Sequence, residues 1–149
     1  MTELKPRPSW DEWLLGLAEY ISTRSKDPST KCGAVIVRPD NTITATGYNG
    51  FPRNIDDAAH LLLNREEKYK RMIHAEMNAL DNARERLTGC TLYTHPFLTC
   101  ERCAVHVIQA GIVKVVAPPP SLEALERWHH SFTLARTLYR EAGIKVVEE

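Results

Sequence analysis

Three side chains that bind borderline or soft metals fall in two short stretches, His74-Ala75-Glu76 and Cys100-Glu101-Arg102-Cys103. One imidazole and two thiolates give a zinc ion three ligands. A closed structural site takes four, so this set leaves a position for water and reads as catalytic. The spacing supports a shared ion. Residues i and i+3 lie on one helix face, so Cys100 and Cys103 can grip one metal. A helix N-terminus beneath them would also favour their thiolate forms. Glu76 follows His74 by two residues, which places it in the first turn of another helix, beside the metal as an acid/base rather than a ligand. A Cys-x-x-Cys pair alone also marks structural zinc knots and redox pairs. The upstream His-x-Glu at the start of an apolar-periodic helix is what favours metal-assisted hydrolysis over both.

The surrounding pattern supplies elements to position these groups. Ser9-Trp10-Asp11-Glu12 is a capping box, and Trp13, Leu14, Leu17, Ala18 and Ile21 predict a helix with one core face. Cys32–Val37 is an apolar strand, with Cys32 expected as a small buried hydrophobe. Pro39-Asp40-Asn41 turns the chain into an antiparallel partner, Thr42–Gly47. The loop Tyr48–Asp57 carries Asn49 and Arg53, candidates for ligand contacts because loops on a rigid sheet carry function. Residues 58–71 read as one charged helical stretch with a solvated face, His60 included. The His74 helix is expected to run to about Arg86. Cys90–Thr94 is a third strand, and a loop containing His95 leads to a second metal helix, Cys100–Ala110, stopped by Gly111. His106 is expected there as a packing residue. Ile112–Ala117 and Ile144–Val147 are further strands, separated by a mainly helical Ser121–Ala142, a connection that suits a parallel crossover. The reading is an α/β fold in one domain, 1–149: a five-stranded mixed sheet layered with helices.

Composition excludes several classes. In 149 residues, Lys plus Arg (19) equals Asp plus Glu (19), so no electrostatic footprint favours nucleic acid or an anionic membrane. No apolar run approaches a membrane span, and MTELKPRPS lacks a signal-peptide core. Four cysteines without a secretion signal fit thiols in a reducing cytoplasm better than disulfides.

With these residues in place, the chain resembles the cytidine/deoxycytidylate deaminases, most closely the deoxycytidylate (dCMP) branch. The resemblance runs from Trp10 almost to the end. It is carried by Arg24-Ser25-Lys26-Asp27-Pro28, Gly33-Ala34-Val35-Ile36-Val37, Gly47-Tyr48-Asn49-Gly50-Phe51-Pro52, Lys68-Tyr69, His74-Ala75-Glu76-Met77-Asn78-Ala79, Gly89-Cys90-Thr91-Leu92-Tyr93, Cys100-Glu101-Arg102-Cys103 and Ile108-Gln109-Ala110-Gly111-Ile112. His-x-Glu followed by Cys-x-x-Cys is the zinc deaminase signature. The chain departs from it at Thr99, where the family usually has Pro.

The resemblance implies the three-layer α/β/α cytidine-deaminase-like fold and Zn2+ on His74, Cys100 and Cys103. It implies Glu76 as the catalytic acid/base, and substrate contacts from Asn49 (a sugar hydroxyl), Ala75, Ser25 and Lys26. The expected reaction is hydrolytic deamination of dCMP to dUMP and ammonia in a homo-oligomer responsive to dCTP and dTTP. Three alternatives stay open at this point: a deaminase of dCTP, cytidine, guanine or tRNA adenosine; a zinc- and nucleotide-binding module without turnover; and a redox protein using Cys100 and Cys103.

Overall fold

The computed structural model describes residues 2–149. The first helix, α1 (Trp10–Ser22), starts where the Ser9 hydroxyl accepts the Glu12 N–H at 3.1 Å. Strands β1 (Gly33–Val37) and β2 (Ile43–Tyr48) form the expected antiparallel hairpin. Then come α2 (Ala59–Leu63), α3 (Arg65–Arg71), α4 (Ala75–Asn82), β3 (Thr91–His95), α5 (Glu101–Gln109), β4 (Lys114–Ala117), α6 (Leu122–Glu141) and β5 (Lys145–Glu148). The sheet order is β2-β1-β3-β4-β5, antiparallel at its first two pairings and parallel at its last two.

The alternation of side chains along a strand separates two packed faces. Ala34, Ile36, Leu92, Val115 and Ala117 point to the side covered by α4, α5 and α6. Val35, Val37, Tyr93 and Val116 point to α1, through Leu14 and Ala18. All five residues of β1 are buried because both of its faces are covered. Two glycines permit the closest approaches. A Cβ on Gly33 would sit 2.0 Å from the Ala18 carbonyl oxygen of α1, and one on Gly47 would sit 2.4 Å from the Ala79 nitrogen of α4.

Four expectations are corrected. Trp13 does not belong to the core: it is 43% exposed and packs edge-on against Trp10, because the buried stripe of α1 is Leu14, Ala18 and Ser22. The charged stretch is two short helices, split at Asn64, whose extended backbone lets its side chain accept the Glu67 N–H and cap α3. Helix α4 ends at Asn82 rather than near Arg86. Beyond it Ala83 is extended, and the chain delivers Leu87, 5% exposed, to the core. His106 is exposed on α5 rather than packed inside.

Helix α4 is tied to the outer edge of the sheet. Asn78 and Asn82, one turn apart, donate their side-chain amides to the Tyr48 and Thr46 carbonyls of edge strand β2, at 2.8 and 2.9 Å. This satisfies carbonyls that have no neighbouring strand and fixes the helix that starts at His74.

Candidate active site

His74 and Cys100 occupy equivalent positions, the N-caps of α4 and α5. Two helix N-termini therefore converge on one point. The His74 Nδ1 lies 3.2 Å from the Cys103 Sγ and 3.5 Å from the Cys100 Sγ, and the three donor atoms all fall within 4.8 Å of one another. Tetrahedral zinc with ordinary Zn–N and Zn–S bonds needs N···S separations of about 3.5 Å, so the donor set fits a zinc ion. The Cys100 sulfur accepts the Cys103 backbone N–H at 3.4 Å. That contact, at the positive end of α5, favours a thiolate.

The two thiols share their environment unequally. The Cys100 thiol is held down to about 4, first by the hydrogen bond from Cys103 and also by His74. The Cys103 thiol is pushed up, first by its bond to Cys100 and then by burial. A metal on both sulfurs would supply the positive charge that deprotonates the second as well. His74 is raised, first through its bond with Cys100.

Glu76 is 7% exposed in the first turn of α4, and its carboxyl is raised above the usual range, chiefly by burial. It lines a cavity of about 140 Å³ together with His74, Ala75 and Cys100. A carboxyl group that holds a proton more readily than usual, next to three metal donors, has the disposition of a proton carrier.

The opposite wall is a buried polar network. Lys68, 5% exposed, lies 3.0 Å from Asp27 and donates to the Ser29 hydroxyl at 3.1 Å. The same Asp27 accepts the backbone N–H groups of Ser29 and Thr30 and, through its other oxygen, the Asn49 amide. Asn49 also donates to the Thr30 carbonyl at 2.9 Å and accepts the Cys32 N–H at 2.8 Å. Lys68 was expected on a solvated face. It is instead a wall residue, and the local charge pattern carried no sign of this, because its partner lies 41 residues earlier.

The sequence-derived candidates are distributed as follows. His74, Cys100, Cys103 and Glu76 come together. Asn49 and Ala75 line the same cavity. Ser25 is 2% exposed behind it, donating to the Asn49 carbonyl at 2.8 Å. Lys26 lies outside, 2.9 Å from Asp57, with both side chains largely exposed. Arg53 bonds Asn82 away from the cavity. Cys32 is not a plain core residue. It is half-buried at the cavity wall, its thiol pushed up by burial first and by Glu76 next.

Four cavity residues come from α6 and escaped the sequence reading: Arg127, Trp128, Ser131 and Phe132. Phe132 packs edge-on against Phe97 of the loop that precedes Cys100, with ring centroids 5.4 Å apart. Trp128-His129-His130-Ser131 formed no recognisable motif, and only the packing of α6 on α5 brings this helix to the site.

A three-layer sandwich with a His/Cys/Cys cluster and a buried glutamate at two helix N-termini defines a zinc-dependent hydrolytic deaminase. The chain belongs to the cytidine and deoxycytidylate deaminase family, whose zinc-binding-region model matches residues 8–118. It is 37% identical over 137 residues to an uncharacterized deaminase of Aliivibrio fischeri, covering 92% of this chain and 91% of that one. It is also 37% identical over 146 residues to the deoxycytidylate deaminase of Mus musculus, covering 91% and 76%. The dCMP deaminase of cyanophage S-TIM5, solved with dCMP and dUMP, superposes with a TM-score of 0.74 at 24% identity over 97% of this chain and 100% of that one, which shows the shared fold. Among the described residues no helix is long and apolar enough to cross a membrane.

Proposed function

We propose that this chain deaminates dCMP to dUMP and ammonia by zinc-dependent hydrolysis. The carrying observation is Glu76, buried at the cavity wall beside three converging metal donors. His74, Cys100 and Cys103 are the ligands in this reading. Bound zinc supplies a Lewis acid that brings water toward ionisation near neutral pH. Glu76 accepts the proton that water gives up and places it on N3 of the cytosine, which makes C4 electrophilic. The water oxygen bonds to C4. Glu76 then takes the proton of the new C4 hydroxyl and delivers it to the exocyclic amine as the C4–N bond breaks, leaving the C4 carbonyl, so water enters and ammonia leaves.

Asn49 and Ala75 face the nucleoside in this reading, Asn49 held in one orientation by the Asp27–Lys68 network. Arg127 favours a nucleotide over a nucleoside. Its guanidinium lies over the Trp128 ring at 5.3 Å, and among the described residues no carboxylate pairs with it, so it is free to meet a phosphate. Within the same proposal the 149 residues act as one cytoplasmic domain, assemble as homo-oligomers, supply dUMP for thymidylate synthesis and respond to dCTP and dTTP.

The test is ultraviolet-monitored deamination of dCMP, CMP, dCTP, deoxycytidine, cytosine and guanine, with Glu76→Ala as the blank and zinc quantified in both proteins. Turnover mainly of dCMP by the zinc-loaded wild type is expected. Zinc-loaded protein that releases ammonia from none of these substrates, with or without dCTP, would overturn the reading.

A further inference from the structure

The residue before the first cysteine is where this chain departs from its family's usual proline. A proline there fixes φ near −65° and so presets the backbone entering the metal helix. Thr99 has no ring to do this. It is 2% exposed, and its hydroxyl meets the hydroxyl of Tyr139 at 2.6 Å, a side chain of α6 with no exposed surface. Two buried hydroxyls that satisfy each other are costly to separate, because each would be left without a partner. The contact spans 40 residues and joins the chain immediately before Cys100 to a helix beyond the family-matched region, residues 8–118.

A second bond runs in parallel, from the Ser131 hydroxyl of α6 to the Glu101 carboxylate, 2.5 Å away on the other side of Cys100. The Phe97–Phe132 contact lies on the Thr99 side, between the loop before Cys100 and α6. Cys100 is thus flanked on both sides by residues fastened to one helix.

We propose that Tyr139 is a positioning residue for the metal site: through Thr99 it holds the Cys100 backbone in its ligating geometry, a task the ring of proline performs elsewhere in the family. The inference rests on the reading of His74, Cys100 and Cys103 as zinc ligands. It makes α6 a scaffold shared by the substrate wall and the metal loop, so loosening the helix at Tyr139 loosens the metal.

The experiment measures zinc transfer from the holoenzyme to a chromogenic chelator, the visible spectrum of the cobalt-substituted protein, and kcat and KM for dCMP. In Tyr139→Phe, zinc release should accelerate about tenfold, the low end of what loss of a supporting partner costs a metal site. The cobalt bands should shift, and kcat should fall severalfold with KM within twofold of wild type. Thr99→Val, which removes the hydroxyl from the other end, should behave alike, and the double variant should be no worse than either single one. Adding Thr99→Pro to Tyr139→Phe should return release toward the wild-type rate. Leu14→Ala, which empties part of the core on the α1 face of the sheet, away from the α5 and α6 face, is the control for stability alone. The proposal fails if both single variants release zinc at the wild-type rate, or if Leu14→Ala accelerates release as much for an equal loss of melting temperature. A wild type that binds no zinc would instead sink the ligand assignment beneath it.

Discussion

At the metal wall of the cavity, His74, Cys100 and Cys103 turn their donor atoms toward one another, and the Cys100 sulfur accepts the Cys103 backbone N–H. At the facing wall, Asp27, Asn49 and Lys68 direct their polar atoms at protein partners, and among the described residues no buried side-chain oxygen or nitrogen lacks one. The first wall concentrates donor atoms that suit a cation. The second is complete without a ligand and serves as a rigid surface. Where a protein turns metal-binding donors toward one point, the arrangement marks the chemistry. Where it pairs them fully, it fixes shape.

That contrast can be broken most severely at Glu76. Glu76→Gln should lower kcat by roughly 10²–10⁴-fold, the usual weight of general acid–base catalysis, with zinc content unchanged. By contrast, His74→Ala should lose both zinc and turnover, and elemental analysis separates the two outcomes. A glutamine variant stripped of zinc would move Glu76 among the ligands.

Removing zinc sharpens the metal wall. With Cys100 held down to about 4, it is a thiolate above that pH, whereas burial raises Cys32 and Cys90. Chelated protein treated with iodoacetamide at pH 6 should therefore be alkylated first at Cys100, as peptide mapping would show. Equal labelling of Cys32 would contradict the ordering.

Lys68→Met attacks the facing wall. Breaking a buried ion pair by removing one partner costs about 3–5 kcal/mol, so denaturant unfolding should show a loss of that order, with the zinc content of the folded protein intact. A large zinc loss at unchanged stability would mean that the walls are not separable as described. Arg127→Gln should raise KM for dCMP about tenfold, the effect of one charge-assisted contact, and leave deoxycytidine turnover unchanged; equal losses on both substrates would remove the phosphate role. The smallest effect is expected at Lys26→Ala. Its exposed pair with Asp57 is worth at most about 1 kcal/mol, and a large rise in KM would restore Lys26 as a substrate contact.

The sequence by itself determined the metal wall and the order of elements. His74, Glu76, Cys100 and Cys103 lie in two segments of a few residues each: Cys100 and Cys103, three apart, share a helix face, and His74 with Glu76 opens the first turn of another helix. Ser9, Ser121 and the apolar run of β1 are equally local signals, and the helices and the strand follow them. Tertiary structure alone decided the rest. Lys68 looked like one more charge on a solvated helix until Asp27, 41 residues away, was folded against it. Tyr139 was one residue in a mainly helical stretch, and Thr99 a departure from proline, until packing put their hydroxyls 2.6 Å apart. Arg127 and Trp128 reach the cavity only because α6 crosses over α5. Spacing in a sequence reports which side chains share a helix face. It does not report which buried charge or hydroxyl will be satisfied by a residue from a distant element, because that depends on how the layers stack.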